Sequence, residues 1–234
     1  MPTGRVPGAL GLTETSGTRV TTPRSLGAAT TGRTREQFKQ AVLDGQIRRK
    51  ERQGKKHFEP VPGSELEVVE SGFRMRREAA QSCRALLQAA RAALAQAQSA
   101  NDAAAKRTTA IGVASAYRDH AQDSRAWSDA FEKHYEKSDN RTKMNALPGG
   151  RHGDAALDWF IALMSPIKAP PGFSNHSNGL AVDFSTTDAG VKLGPNTNQR
   201  TAWRQTWLHP WLVANALTHR FHPLASEEWH WDWA

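Results

Sequence analysis

Between Arg74 and about Ala100, small and apolar residues recur at spacings of three and four: Ala80, Cys83, Leu87, Ala90, Leu94 and Ala97. That period places one apolar face along a long helix. Its many alanines predict close packing against a sheet or another helix. Further on, the run Thr109-Ala110-Ile111-Gly112-Val113-Ala114 predicts a strand. Asp119 to about Lys137 predicts a second helix, with Trp127 and Phe131 on one face, and Asp154 to Met164 a third. Leu180 to Phe184 reads as another strand. Asn198 to Thr218 reads as a fourth helix, with Trp203, Trp207 and Trp211 at every fourth position. That stripe suits a core better than a ligand platform. The chain closes with Trp229, Trp231 and Trp233 alternating with Glu228, His230 and Asp232, the period of two of a half-buried strand. Helices and strands do not alternate regularly. The expected class is therefore α+β, a small, largely antiparallel sheet with flanking helices.

The first 60 residues follow another pattern. Residues 1–33 are rich in Gly, Thr, Pro and Arg, carry no hydrophobic period, and are predicted to be disordered. Thr34 to about Gln53 predicts a short basic helix with a weak apolar stripe of Phe38, Val42 and Ile47. Pro60-Val61-Pro62-Gly63 marks the expected start of the folded part. The predicted organisation is thus a basic, largely disordered tail over residues 1–60, suited to delivery or docking, and a folded domain over 64–234. Charge follows the same division. Residues 1–60 hold 12 Lys/Arg against 5 Asp/Glu, and the remaining 174 hold 19 against 18. The high pI therefore describes the tail and not the body. Phe38 and Phe58 are the tail's only Phe, Tyr or Trp residues, so the aromatic–basic interleaving of a nucleic-acid binder is missing and no nucleic-acid partner is expected. No stretch approaches the roughly 20 apolar residues of a membrane span. No continuous apolar segment follows the first Arg, so a Sec-type leader is not expected either. Cys83 is the single cysteine, which excludes an intrachain disulfide, and its place on a helical apolar face predicts a buried, unreactive thiol.

Two short segments near the C-terminus carry the chemistry. One runs Ser174-Asn175-His176-Ser177-Asn178-Gly179-Leu180-Ala181-Val182-Asp183; the other is Glu227-Glu228-Trp229-His230. Two imidazoles, a carboxylate and a spare carboxylate are the inventory of a hydrolytic zinc site with an open position and a general base. Strand parity constrains the arrangement. His176 and Asp183 lie an odd number of residues apart, so a turn at Ser177-Asn178-Gly179 must separate them if both are to face one metal. Beyond that turn Leu180, Val182 and Phe184 share the core face, while Ala181 and Asp183 face the site. In the last strand Glu228, His230 and Asp232 share the face opposite the tryptophans. Glu227 has the wrong parity to lie beside His230, so it must sit at the strand's start or at a bend. The other histidines, His57, His120, His134, His152, His209, His219 and His222, read as packed or solvated.

These segments resemble the zinc D,D-peptidases of bacterial cell walls, a family of VanY-type D-alanyl-D-alanine carboxypeptidases, related dipeptidases and phage L-alanyl-D-glutamate endopeptidases. Its pattern is Ser-x-His-x-x-Gly-x-Ala-x-Asp followed by Glu-x-x-His. Ser174, His176, Gly179, Ala181 and Asp183 fill the first part, and Glu227 and His230 the second. Upstream, Ser115-Ala116-Tyr117-Arg118-Asp119-His120-Ala121-Gln122 is similar to the family's Ser-Gly-Tyr-Arg-Ser-x-x-Gln, with Ala116 in place of Gly and Asp119 in place of a small polar residue. The resemblance covers about residues 65–234. It implies Zn2+ held by His176, Asp183 and His230, Glu227 as catalytic base, and Arg118 on the carbonyl oxygen. It further implies Ser115, Gln122 and Ser174 as substrate-positioning residues; Asp119, a departure from the family pattern, is expected to partly neutralise Arg118. The implied substrate is a peptidoglycan stem peptide, which would be reached without a Sec signal as a phage endolysin or an injected antibacterial effector. In the second case residues 1–60 would engage a delivery partner. The competing reading is a catalytically inactive zinc-containing module that binds cell-wall peptide.

Overall fold

In a computed structural model, the structure describes residues 32–234. The disorder expected for residues 1–33 thus falls, apart from its last two positions, outside the described residues. The elements are α1 (Arg35–Arg52), β1 (Leu66–Glu70), β2 (Phe73–Arg76), α2 (Arg77–Ser99), α3 (Ala103–Arg107), β3 (Thr108–Ser115), α4 (His120–Tyr135), α5 (Ser138–Asn145), α6 (Asp154–Met164), β4 (Ala181–Asp188), β5 (Val191–Leu193), α7 (Arg200–Arg204), α8 (Leu208–Asn215), β6 (Phe221–Leu224) and β7 (Glu227–Trp233). The class is α+β. The main sheet runs β3-β4-β7-β6 with β5 beside β4, and every pairing in it is antiparallel. β1 and β2 form a separate hairpin.

The sheet and α2 enclose one core. Ala79, Ala80, Cys83, Leu86, Leu87, Ala90 and Leu94 form the buried side of α2. They share a hydrophobic cluster with Val182 and Phe184 of β4 and with Trp229 and Trp231 of β7. Alternation along β4 and β7 then leaves Asp183 and His230 off that core, and the two are directly paired across the strands. Burial pushes the Cys83 thiol well above its usual range, as suits an unreactive core cysteine.

A second core is built from helices. Phe38 and Val42 of α1 pack with Trp127, Phe131 and Tyr135 of α4, Met144 of α5, and Phe160 and Met164 of α6. The expected domain boundary at residues 60–63 is corrected by this packing, because Gly32–Ala234 form one compact unit. The weak apolar stripe of α1 was misleading for a simple reason. Two large, fully buried side chains, Phe38 and Val42, are enough when a glycine lets the backbones approach. A methyl group on Gly45 would overlap Ile161 of α6. Thr34 starts the helix with a capping box shared with Gln37.

The single long helix expected over Asn198–Thr218 is also corrected. It divides into α7 and α8 with short 3₁₀ turns on either side. Pro210 is the reason: it has no N–H to continue a helix from α7, yet it is tolerated in the first turn of a new one. Thr206 serves that new start by accepting from the His209 N–H at 3.2 Å. Trp203 is fully buried, and Trp207 stacks on Trp211 with ring centroids 5.9 Å apart at the edge of the core. The short strands β1, β2, β5 and β6 were not anticipated from the sequence pattern.

If α1 is part of the fold, Phe38→Ala should lower the unfolding free energy by about 3–5 kcal/mol, the usual cost of emptying a large aromatic site. Urea unfolding followed by circular dichroism measures this, and stability equal to wild type would return α1 to a dispensable tail.

Candidate metal centre

The turn required by strand parity is present. Ser177 N–H donates to Ser174 O at 2.9 Å, Gly179 N–H to His176 O at 3.1 Å, and Leu180 N–H to Asn175 O at 3.0 Å. Gly179 lies in the left-handed region at φ +69°, and a Cβ there would stand 3.1 Å from the Arg76 backbone nitrogen. Glycine is therefore favoured on both conformational and steric grounds. The reversal delivers His176 to the same place as Asp183 and His230, and all three are buried. His176 Nε2 is 3.2 Å from His230 Nδ1 and 3.3 Å from Asp183 Oδ2, while His230 Nδ1 is 3.0 Å from Asp183 Oδ1.

The outer nitrogens fix what the inner atoms are. His176 Nδ1 lies 2.7 Å from the Ala116 carbonyl oxygen, which can only accept, so that nitrogen carries the proton and Nε2 presents a lone pair. His230 Nε2 lies 3.0 Å from Asp232 Oδ1 and donates to it, leaving a lone pair on Nδ1. Three acceptor atoms thus converge in a buried space, an arrangement that calls for a cation. A metal-binding histidine fixed by an acceptor on its other nitrogen is the usual arrangement at metal sites. Titration directions agree. Burial lowers the His176 pKa. Burial would raise Asp183, but the two imidazoles hold its carboxyl far below the usual carboxylate range. Burial would also lower His230, but hydrogen bonds with Asp183 and Asp232 push it up to about 9. In the absence of metal, a proton on His230 thus supplies the missing positive charge.

The three groups line a cleft of about 580 Å³ together with Arg118, Asp123, Lys168, Ser174, Glu227 and Asp232. Glu227, the first residue of β7, sits where the register between β6 and β7 breaks, and its carboxylate accepts from the Trp229 indole N–H at 3.1 Å. Arg118 is clamped. Its Nε donates to Asp123 Oδ1 at 3.0 Å, one terminal nitrogen to Ser115 Oγ at 3.1 Å, and the other to Ser174 Oγ at 3.5 Å. The guanidinium comes within 4.0 Å of Asp183 Oδ2.

No family model matches the chain, and no curated protein matches it either. Among solved structures it is similar to a mutant of the vancomycin resistance D,D-pentapeptidase VanY from the VanB-type resistance cassette, in complex with Zn(II). Identity there is 20%, coverage is 76% of this chain and 85% of that one, and the TM-score is 0.45. It is also similar to VanYB in complex with D-alanine-D-alanine, at 21% identity, 74% and 81% coverage and a TM-score of 0.44. A third similar structure is the LD-carboxypeptidase LdcB, at 17% identity, 74% and 69% coverage and a TM-score of 0.45.

Not every residue singled out in the sequence reaches the cleft. His176, Asp183, His230, Glu227, Arg118 and Ser174 line it. Ser115 stands behind the wall as a partner of Arg118. Gln122 is exposed and caps α4, its side chain accepting from the Asp119 N–H at 2.9 Å while Asp119 accepts from the Gln122 N–H at 2.7 Å. The capping box gives Gln122 a structural role outside the cleft lining, and it turns Asp119 away from the expected pairing with Arg118. The partner is Asp123, a buried carboxylate that also accepts from Ser177 Oγ at 2.5 Å and the Gly172 N–H at 3.3 Å. Its spacing of four from Trp127 and eight from Phe131 puts it on the inward face of α4, a signal that was readable in the sequence. Asp232 was readable too, since it shares strand parity with His230.

Glu228 does not follow that parity into the cleft. It is buried against α7, where Arg200 Nε donates to it at 2.8 Å and Arg204 Nε at 2.8 Å. The Arg200 hydrogen bond leads the causes that hold its pKa at about 2, against burial. A depressed carboxylate stabilises the fold above its unfolded pKa of about 4.5, and that contribution is lost as pH falls toward 2. Glu228→Gln should therefore cost about 1–3 kcal/mol at pH 6–8, with the gap from wild type narrowing between pH 4.5 and 2. Denaturant curves across that range test this, and a gap that is absent at neutral pH would contradict the pairing.

Proposed function

We propose that the chain is a zinc-dependent peptidase that hydrolyses peptidoglycan stem peptides, as a D-alanyl-D-alanine carboxypeptidase or a related endopeptidase. One observation carries the reading. Three converging acceptor atoms, each on a side chain fixed from behind or beside, share a cleft with an available carboxylate and a clamped guanidinium. His176, Asp183 and His230 would hold the zinc, and two imidazoles with one carboxylate suit that ion and leave room for an open position. Zinc, when bound, supplies Lewis-acid polarisation of a carbonyl and acidifies water.

The chain's own residues provide the rest. Glu227, kept in place by the Trp229 indole, takes a proton from the attacking water and returns it to the departing amine, the two halves of general acid–base work. Arg118 is held by Asp123, Ser115 and Ser174, so its charge needs no reorganisation as negative charge grows on the carbonyl oxygen. Asp232 and the Ala116 carbonyl keep both imidazoles in the tautomers that expose lone pairs inward. The cell-wall substrate is supported by the motif resemblance of residues 115–122, 174–183 and 227–230. A phage lysis route or an injection route would bring such an enzyme to the wall.

Two variants test the reading. Wild type should hold about one zinc per chain by elemental analysis, and His176→Ala should hold almost none. Glu227→Gln should keep the zinc and the fold yet lose about two to four orders of magnitude in turnover on purified peptidoglycan, with products read by mass spectrometry. Peptide binding without any product from wild type would favour the inactive binding module. Unchanged zinc in His176→Ala would remove the metal site altogether.

A further inference from the structure

The cleft has a second charged region that the proposed reaction does not use. Lys50 at the end of α1, Lys55 and Lys56 in the following segment, and Lys168 after α6 all line it. Among the described residues none of the four amines has a carboxylate within ion-pair distance, although most arginines of the domain do. The one other lysine of α1, Lys39, is paired with Glu132 of α4 at 2.8 Å. Four ammonium groups on one cleft wall, none of them in an ion pair, favour an anion there.

The wall is built rather than loosely attached. Gln46 of α1 is buried; its amide donates to the Lys168 carbonyl at 3.1 Å, and its side-chain oxygen accepts from the Trp127 indole at 2.6 Å. The Lys168 N–H returns to Met164 O at 3.0 Å. The segment carrying Lys55 and Lys56 is tied down by Phe58 N–H donating to Gly172 O at 2.8 Å. Lys168 itself is half-buried and close enough to Arg118, Asp123, Asp183 and Glu227 for their charges to act on it. It thus lines the same cleft as the proposed reaction centre and the three outer lysines.

Resting on the peptidase reading, we propose that Lys168, supported by Lys50, Lys55 and Lys56, forms an anion subsite that receives a carboxylate of the peptide outside the bond cleaved. The chemistry is that of an ammonium group meeting a carboxylate, and two sources offer it: the free C-terminal carboxylate and an acidic side chain. The subsite selects peptides that retain this negative charge over those in which it is amidated. It also gives α1 a part in recognition in addition to packing.

The test is binding by calorimetry to the zinc-loaded full-length Glu227→Gln protein, so that peptide is not consumed. The probes are a synthetic stem pentapeptide ending in D-Ala-D-Ala with all carboxylates free, the same peptide as its C-terminal amide, and the same peptide with its acidic side chain amidated. One of the two amidations should weaken binding about tenfold or more, as loss of a charge-assisted hydrogen bond does, and thereby name the carboxylate. Lys168→Gln should weaken the free peptide by a similar factor and leave the sensitive amide unchanged. Lys168→Glu should reverse the preference. Equal affinity for all three peptides, equal weakening of all three by Lys168→Gln, or no binding of the free peptide would each overturn the subsite. Turnover by wild type is read separately. Cleavage without charge selectivity sinks the subsite and spares the peptidase reading, whereas lysine-dependent binding without cleavage does the opposite.

Discussion

Three lone pairs pointed at one another in a buried space are unfavourable unless a positive charge sits among them. That constraint organises this protein. With both imidazoles neutral, His176 Nε2, His230 Nδ1 and the Asp183 carboxylate cannot satisfy one another, because the protons of both rings are committed outward to Ala116 O and Asp232. A single water on the cleft side has only two protons to offer three such acceptors. Against burial, the carboxylates of Asp183 and Asp232 push the His230 pKa up, the direction expected where the surroundings favour positive charge. A divalent metal answers the same demand with more charge and with the directional preferences of imidazole and carboxylate.

Much of the fold can be understood as the scaffold that holds these atoms still. Val182, Phe184, Trp229 and Trp231 anchor β4 and β7 from behind, so the opposite sides of the two strands hold Asp183 opposite His230. The Gly179 turn returns His176 to them. Asp123 then joins three separate pieces: the guanidinium of Arg118, the hydroxyl of Ser177 in the turn, and the backbone of Gly172. A buried carboxylate used this way gains enough partners to offset its desolvation. It also couples the position of Arg118 to that of the His176 turn, so the two cannot drift independently. The helical core extends the same logic outward, since Gln46 bridges Trp127 and the backbone of Lys168.

What the sequence disclosed depended on whether a signal was local. The parity argument located Asp183 on the site face of β4, required a turn at residues 177–179, and put Glu227 at a strand start, because alternation is a property of a few consecutive residues. The long face of α2 and the limits of α6 were legible for the same reason. The role of α1 was not. Its stripe is too sparse to register as periodicity, and its burial is decided by α4 and α6, which are distant in sequence. The tryptophans at 203, 207 and 211 suggested one helix, but Pro210 overrode the spacing. Asp119 looked like the neighbour of Arg118 by sequence, yet once the helix begins at His120 the same residue becomes its cap and Asp123 turns inward. Glu228 shares strand parity with His230, but a broken register redirects it to Arg200 and Arg204.

The central claim concerns which ring nitrogens face the metal, and that is directly observable. Long-range nitrogen–proton NMR of the zinc-loaded protein, with histidine rings labelled in nitrogen-15, reports the tautomer of each ring. The account predicts opposite tautomers: His176 protonated at Nδ1 and His230 protonated at Nε2, both unchanged through the pH range in which free imidazole titrates. Two rings in the same tautomer, or rings that still titrate with zinc present, would contradict it.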